Sequence, residues 1–158
     1  MALIVASVAL AQSAFKLTPP DKSFEATFPG KPSHEQRLSD SDRIHSLQHA
    51  YSLKTTEGKF VLSYVHLTPP PLDLKANDAI DAAISGTLSN VGGKLLTERS
   101  LTMKGRLAKA VTIGVGENTI IEGRFVYVQP RVYQLIVLHR QGVIPAFQQE
   151  FFDSFSVN

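Results

Sequence analysis

Three pairs of long stretches rich in Val, Ile, Leu and Tyr, each pair split by only two to four turn residues, limit this chain more than any other feature. The pairs are Arg43–Lys54 with Lys59–Leu67, Lys94–Met103 with Arg106–Val115, and Thr119–Val128 with Val132–His139. Their connections are Thr55-Thr56-Glu57-Gly58, Lys104-Gly105 and Gln129-Pro130-Arg131. Links this short return the chain antiparallel, because a parallel partner needs a crossover of about a dozen residues or more. The strands are thus predicted as hairpins.

Ahead of these pairs, Ser23–Phe28 alternates Phe24, Ala26 and Phe28 with polar residues, the pattern of a half-buried strand. Pro29-Gly30-Lys31-Pro32 forces a turn, and His34–Leu38 reads as a second, more polar strand before the turn residues Ser39-Asp40-Ser41-Asp42. Phe15–Asp21 reads as irregular, stopped by Pro19 and Pro20. Pro69-Pro70-Pro71 ends the first hairpin, since proline cannot donate to a ladder. Ile80, Ile84, Leu88 and Val91 then recur at helical spacing, predicting a helix over Asp78–Val91. Asn77 or Asp78 is placed to cap its start, and Gly92-Gly93 to end it in a left-handed cap. Pro145 is predicted to open a short last helix carrying Phe147, Phe151 and Phe155. Seven or eight strands and two helices, joined mostly by tight turns, make an α+β domain with helices packed on an antiparallel sheet of about 6–8 strands.

With 158 residues, one domain is the expectation. At 43% hydrophobic and a formal net charge of +2, the chain is too apolar and too weakly charged to stay disordered. There is no Cys, which excludes a disulfide framework, a thiolate metal site and a Cys nucleophile. Met1–Ala11 holds ten apolar residues and no charged side chain. It is too short for a membrane-spanning helix, which needs about 20 residues. It fits the apolar region of a signal peptide, with Ala9 and Ala11 forming a cleavage site before Gln12. No Lys or Arg precedes it, and a buried N-terminal element is the alternative reading. The domains are therefore read as a signal peptide over 1–11 and one folded domain over 12–158, periplasmic or extracellular in location.

Motifs that carry a mechanism are mostly excluded. His34-Glu35 opens an H-E-x-x-H pattern, but position 38 is Leu. Gly114-Val115-Gly116 opens a dinucleotide-type pattern, but position 119 is Thr. No P-loop and no G-x-S-x-G elbow occurs, and Asp40-Ser41-Asp42 lacks the rest of a calcium loop. His45 and His49 are four apart on one strand and so share a face. His66 lies on the partner strand, and its face depends on the register. If the register agrees, His45, His49 and His66 are candidate ligands for zinc or copper; otherwise they are scattered on a partly exposed sheet. Lys94, Arg99, Lys104, Arg106 and Lys109 crowd the second hairpin against Glu98 alone. Such a patch suits an anionic membrane surface or an acidic partner, and equally a solvated hairpin. It lacks interleaved aromatics, so nucleic acid is not an expected partner.

Phe24 with Phe28-Pro29-Gly30-Lys31-Pro32, then Gly93-Lys94-Leu95-Leu96, then Gly123-Arg124-Phe125-Val126-Tyr127-Val128 running into Arg131-Val132-Tyr133-Gln134-Leu135, and finally Phe151-Phe152-Asp153-Ser154-Phe155, occur in an order that resembles the secreted bacterial PsbP-like proteins. The resemblance covers about Phe15 to Val157. It implies an α/β/α sandwich with helices on both faces of the central sheet. Photosynthetic members are extrinsic subunits of photosystem II that help retain calcium and chloride. The family implies no catalytic residues and no cofactor. The expectation is an exported, non-enzymatic, monomeric binding or accessory domain of the cell envelope, taking an envelope protein or a small ligand. The alternatives are a role like that of the photosystem subunit, a metal-handling module, and a hydrolase with an unmarked site.

Overall fold

The long helix decides how the hairpins are arranged. In a computed structural model, which describes residues 13–158, the chain forms β1 (Phe15–Leu17), β2 (Phe24–Phe28), β3 (Ser33–Asp40), β4 (His45–Lys54), β5 (Gly58–Thr68), α1 (Ala76–Val91), β6 (Lys94–Met103), β7 (Arg106–Val115), β8 (Thr119–Val128), β9 (Arg131–Arg140), α2 (Gln148–Ser154) and β10 (Ser156–Val157). The leader read over 1–11 lies outside the described residues.

Seven strands form one antiparallel sheet in the order β3-β4-β5-β9-β8-β7-β6. After β5 the chain must reach the far edge, four strand spacings or ~19 Å away. The 16 residues of α1 run ~24 Å at 1.5 Å each, which is enough to cross. The chain then meanders back from β6 to β9, and β9 closes against β5 with Phe60 opposite Val137 and Leu62 opposite Leu135.

Burial follows the strand period. On β9, Leu135 and Val137 enter one core while Ile136 and Leu138 pack into another. The second core lies under α1, where Ile80 and Ile84 meet Val111, Ile113, Ile121 and Phe125. The first, on the opposite face, holds Phe24 and Phe28 of β2 and Phe151 and Phe152 of α2 against Phe60, Leu62 and Tyr133. The layers are therefore α1, the seven-stranded sheet, and a small sheet that travels with α2.

Several local expectations are refined. Phe15–Leu17 is a strand rather than irregular chain, and with β2 and β10 it makes the three-stranded sheet β1-β2-β10. Helix α1 begins at Ala76 with Lys75 as its N-cap, so neither Asn77 nor Asp78 caps it. Its end matches the expectation, with Gly92 at φ 62° donating its N–H to the Leu88 carbonyl. Pro145 does not open α2. It makes the turn before it, accepting a bond from the Gln148 N–H (3.1 Å).

Helix α1 packs mainly on β7, β8 and β9. On the same face, β3, β4 and β5 present a largely polar surface, with Ser33, Ser46, Gln48, Ser52 and Ser63 set among Ala50, Val61, Val65 and Leu67. That polar half-face runs toward the β4–β5 turn.

Candidate functional site

The register places all three candidate histidines on one face, because Leu47 lies opposite His66 and shares a face with His45 and His49. It does not bring them together. Each finds a different partner: His45 Nδ1 meets Asp40 Oδ1 (2.8 Å), His66 Nδ1 meets Arg131 Nη2 (2.9 Å), and His49 Nδ1 meets His34 Nε2 (3.2 Å). Four residues along a strand is ~13 Å, too far for two imidazoles to share a ligand. Among the described residues no group of three or more His, Asp or Glu is placed to hold a metal ion.

The partner the sequence reading missed is His34. It sits opposite Tyr51 while His49 sits opposite Gln36, so the two imidazoles are diagonal neighbours. The imidazole of His34 lies on the Tyr51 ring (4.2 Å, 6°), and that of His49 lies on Tyr64 (4.7 Å, 10°). The Arg131 guanidinium stands 5.1 Å from the Tyr64 ring centre. Burial pushes the Tyr64 hydroxyl up to about 12, so it stays protonated. Burial, and then the charges of His34 and Arg131, hold the His49 imidazole below its ordinary value of 6.5.

This predicts a pH dependence of stability. The folded state prefers neutral His49, so its contribution is complete above pH 6.5 and is lost as the pH falls below 6.5 toward the folded value. Between about pH 7.5 and about pH 5.5 the Tm of His49→Gln should fall less than that of the parent chain. Equal falls, measured by circular dichroism, would show that His49 is not the titrating group.

The basic hairpin is not one patch. Lys109 Nζ binds Glu98 Oε1 (2.7 Å) and Asp81 of α1, so it pins the helix to the sheet. Those hydrogen bonds raise its pKa. Arg99 and Arg106 lie opposite Ala110 and Met103, on the face away from Lys109, and Lys104 occupies the turn at φ 46°. Lys94 is at the other end of the strand, opposite Gly114.

A different cluster surrounds the β4–β5 turn, where the polar half-face opens into a cleft of ≈ 920 Å³. Thr55 shapes the turn, with its N–H (2.8 Å) and hydroxyl (3.1 Å) donating to the Gly58 carbonyl. Lys54 and Lys59 leave the turn directly opposite each other and so on one face. Strand β9 adds Arg140, opposite Thr119, and the turn before β3 adds Lys31. None of these four cations takes part in an ion pair among the described residues. Hydroxyls of Ser33, Ser52 and Thr56 line the same cleft, and Leu53, Leu138 and Val143 supply apolar wall. The one acidic residue in the lining, Glu57, has Oε2 engaged by the Ala146 N–H (3.0 Å). His139, 6% exposed, also lines the cleft. It bonds the Arg140 carbonyl through Nδ1 (2.7 Å), and its Nε2 has no partner among the described residues.

No family model matches the sequence, and no curated protein does. Among solved structures, the chain is similar to the solution structure of cyanobacterial PsbP (CyanoP) from Synechocystis sp. PCC 6803. The TM-score is 0.64 over 97% of this chain and 96% of that one. This chain has the PsbP fold. The identity is 12%, so the likeness is one of architecture. It agrees with the sandwich implied by the Phe28-Pro29-Gly30 and Phe151–Phe155 segments. A crystal structure from Bacteroides thetaiotaomicron VPI-5482 matches with a TM-score of 0.48 at 12% identity, covering 93% of this chain and 49% of that one. The lysines and the arginine of the cleft were not singled out from the sequence. Lys54 and Lys59 flank a turn and could have been read as neighbours. Arg140 could not, because only the return of β9 to β5 places it there.

Proposed function

We propose that this PsbP-like domain is an exported, non-catalytic binding or accessory domain of the cell envelope, and that its ligand sits in the cleft beside the β4–β5 turn. The cleft carries the reading. It is concave, its ≈ 920 Å³ matches a small-molecule site, and it combines apolar wall with convergent hydrogen-bond donors. Export rests on the apolar run Met1–Ala11 and its small-residue cleavage site before Gln12.

The test expresses the full chain, follows it by cell fractionation and sequences the mature N-terminus. The expected product is envelope-located and begins at Gln12. That product is then screened for ligands by thermal shift. A binder should raise the Tm of the parent chain and leave that of the cleft variant Lys54→Thr/Lys59→Thr unmoved. A cytoplasmic, uncleaved chain would overturn the export reading. Turnover of any screened compound would overturn the non-catalytic one.

A further inference from the structure

We infer that the ligand of this cleft is a small organic molecule carrying two anionic oxygen groups, either phosphate or carboxylate. The inference rests on the binding-domain reading above and adds its chemistry.

The first support is the pairing of Lys54 with Lys59. They are directly opposite in the β4–β5 ladder and on one face. Like charges in that position repel and destabilise a sheet. Nothing on the sheet relieves them, because no ion pair among the described residues involves either. An oxyanion held between the two ammonium groups would relieve both at once.

The second support is the remaining charge. Arg140 sits two residues beyond Leu138, the β9 residue opposite Lys59, and Lys31 enters from the turn ahead of β3. The cleft therefore offers one further cation on each side of the first pair, Lys31 beside β3 and Arg140 on β9. Arginine suits a planar or tetrahedral oxyanion because its donors form a fixed fork. Four cations against one already engaged carboxylate exceed what a single monoanion would neutralise.

The third is the wall. Leu53, Leu138 and Val143 give the lining apolar surface that a bare inorganic ion would leave unused, so the two anionic groups are joined by an organic part. The concave shape and limited volume favour a small molecule over a flat membrane.

The test is calorimetric titration at physiological salt with inorganic phosphate, pyrophosphate, acetate and succinate, using the full processed domain. Three proteins are compared: the parent chain, Lys54→Thr/Lys59→Thr, and the hairpin control Lys104→Ser/Arg106→Ser. Pyrophosphate or succinate should bind at one site per chain, and about tenfold or more tighter than phosphate or acetate. Tight pyrophosphate with weak succinate assigns phosphate groups, and the reverse assigns carboxylates. The cleft variant should lose that binding by about tenfold or more, and the hairpin control should keep it. The ligand-free cleft variant should also melt no lower than the parent, because its lysine repulsion is gone and Thr–Thr is a favourable cross-strand pair. That separates a binding role from a structural one.

Failure of both pyrophosphate and succinate to bind the parent chain would overturn the inference, as would equal losses in the cleft and hairpin variants. So would binding to anionic vesicles that is lost in the cleft variant while pyrophosphate and succinate both fail. If neutral compounds from the thermal-shift screen bind the cleft and these two anions do not, the ligand class is wrong and the binding-domain reading stands. If nothing binds the cleft, both are wrong.

Discussion

Phe24→Ala is expected to destabilise the domain by about 3–5 kcal/mol. Phe24 is 0% exposed and stands where the small sheet meets the large one. Its ring touches Tyr133 (5.4 Å), Tyr64 (5.7 Å), Tyr51 (6.0 Å) and Phe155 (6.1 Å), the first three in edge-to-face geometry. Alanine would leave a void bounded by four aromatic rings, three on the large sheet and Phe155 between α2 and β10. Such a void collapses poorly because the rings are fixed by their own strands. A domain of this kind has about 5–15 kcal/mol in total. The loss is therefore a large share, and the Tm should drop by roughly 10 °C. Urea unfolding followed by far-ultraviolet circular dichroism measures it, with tyrosine fluorescence as a second probe because the chain has no Trp. A change under about 1 kcal/mol would mean that the small sheet is not anchored through Phe24. The same variant should disturb His34 and His49, since Tyr51 and Tyr64 are the rings on which those imidazoles lie.

The parts of this fold that sequence reveals are those held by local chemistry. The hairpin bounds Lys94–Met103 and Arg106–Val115 are read correctly because Lys104-Gly105 supplies two positive-φ residues between two β-rich runs. Helix α1 is visible in the spacing of Ile80, Ile84, Leu88 and Val91. What escapes is held by distant chemistry. Strand β1 has three residues and β10 two, too few to show a period, and both exist because β2 pairs them. Phe155 continues the spacing of Phe147 and Phe151 and so reads as helical. Helix α2 stops at Ser154 instead, where the Thr27 N–H donates to the Ser154 hydroxyl (2.8 Å) and the chain straightens to join β2.

The same division holds for the candidate sites. That His45 and His49 share a face follows from the strand period alone. That they part company follows from Asp40 and His34, whose positions depend on how β3 pairs with β4. The cleft is the extreme case. Two of its cations are adjacent across a readable turn, while Arg140 arrives from 80 or so residues later because α1 sends the chain to the far edge before β9 returns. A long crossover hides function from the sequence because it joins segments that no local pattern connects.

Gly58 shows how a residue can be legible for the wrong reason, and its substitution is the other large expected effect. In the sequence it marks a hairpin turn, where glycine usually supplies a positive φ. In the structure its role is close approach. A Cβ at Gly58 would stand 2.5 Å from the Leu138 carbonyl oxygen, 3.3 Å from Pro145 Cγ and 3.4 Å from His139 Cβ. The first of these is backbone in the β5–β9 ladder and cannot rotate away. Gly58→Ala must therefore push β5 from β9 at the place where the two halves of the sheet join. Overpacking of this kind costs about 1–3 kcal/mol, and a backbone obstacle puts the effect at the upper end. The cleft should suffer with it, because Gly58, Leu138 and His139 all line it. Gly86→Ala is the matched control. It lies in exposed α1 with nothing within 4 Å of the added Cβ. There alanine should stabilise by about 0.5–1 kcal/mol through helix propensity and reduced chain entropy. One substitution with two opposite signs, read from denaturant midpoints, isolates the space around Gly58 as the cause. If Gly58→Ala is neutral while Gly86→Ala stabilises, β5 and β9 do not approach as closely as this register requires.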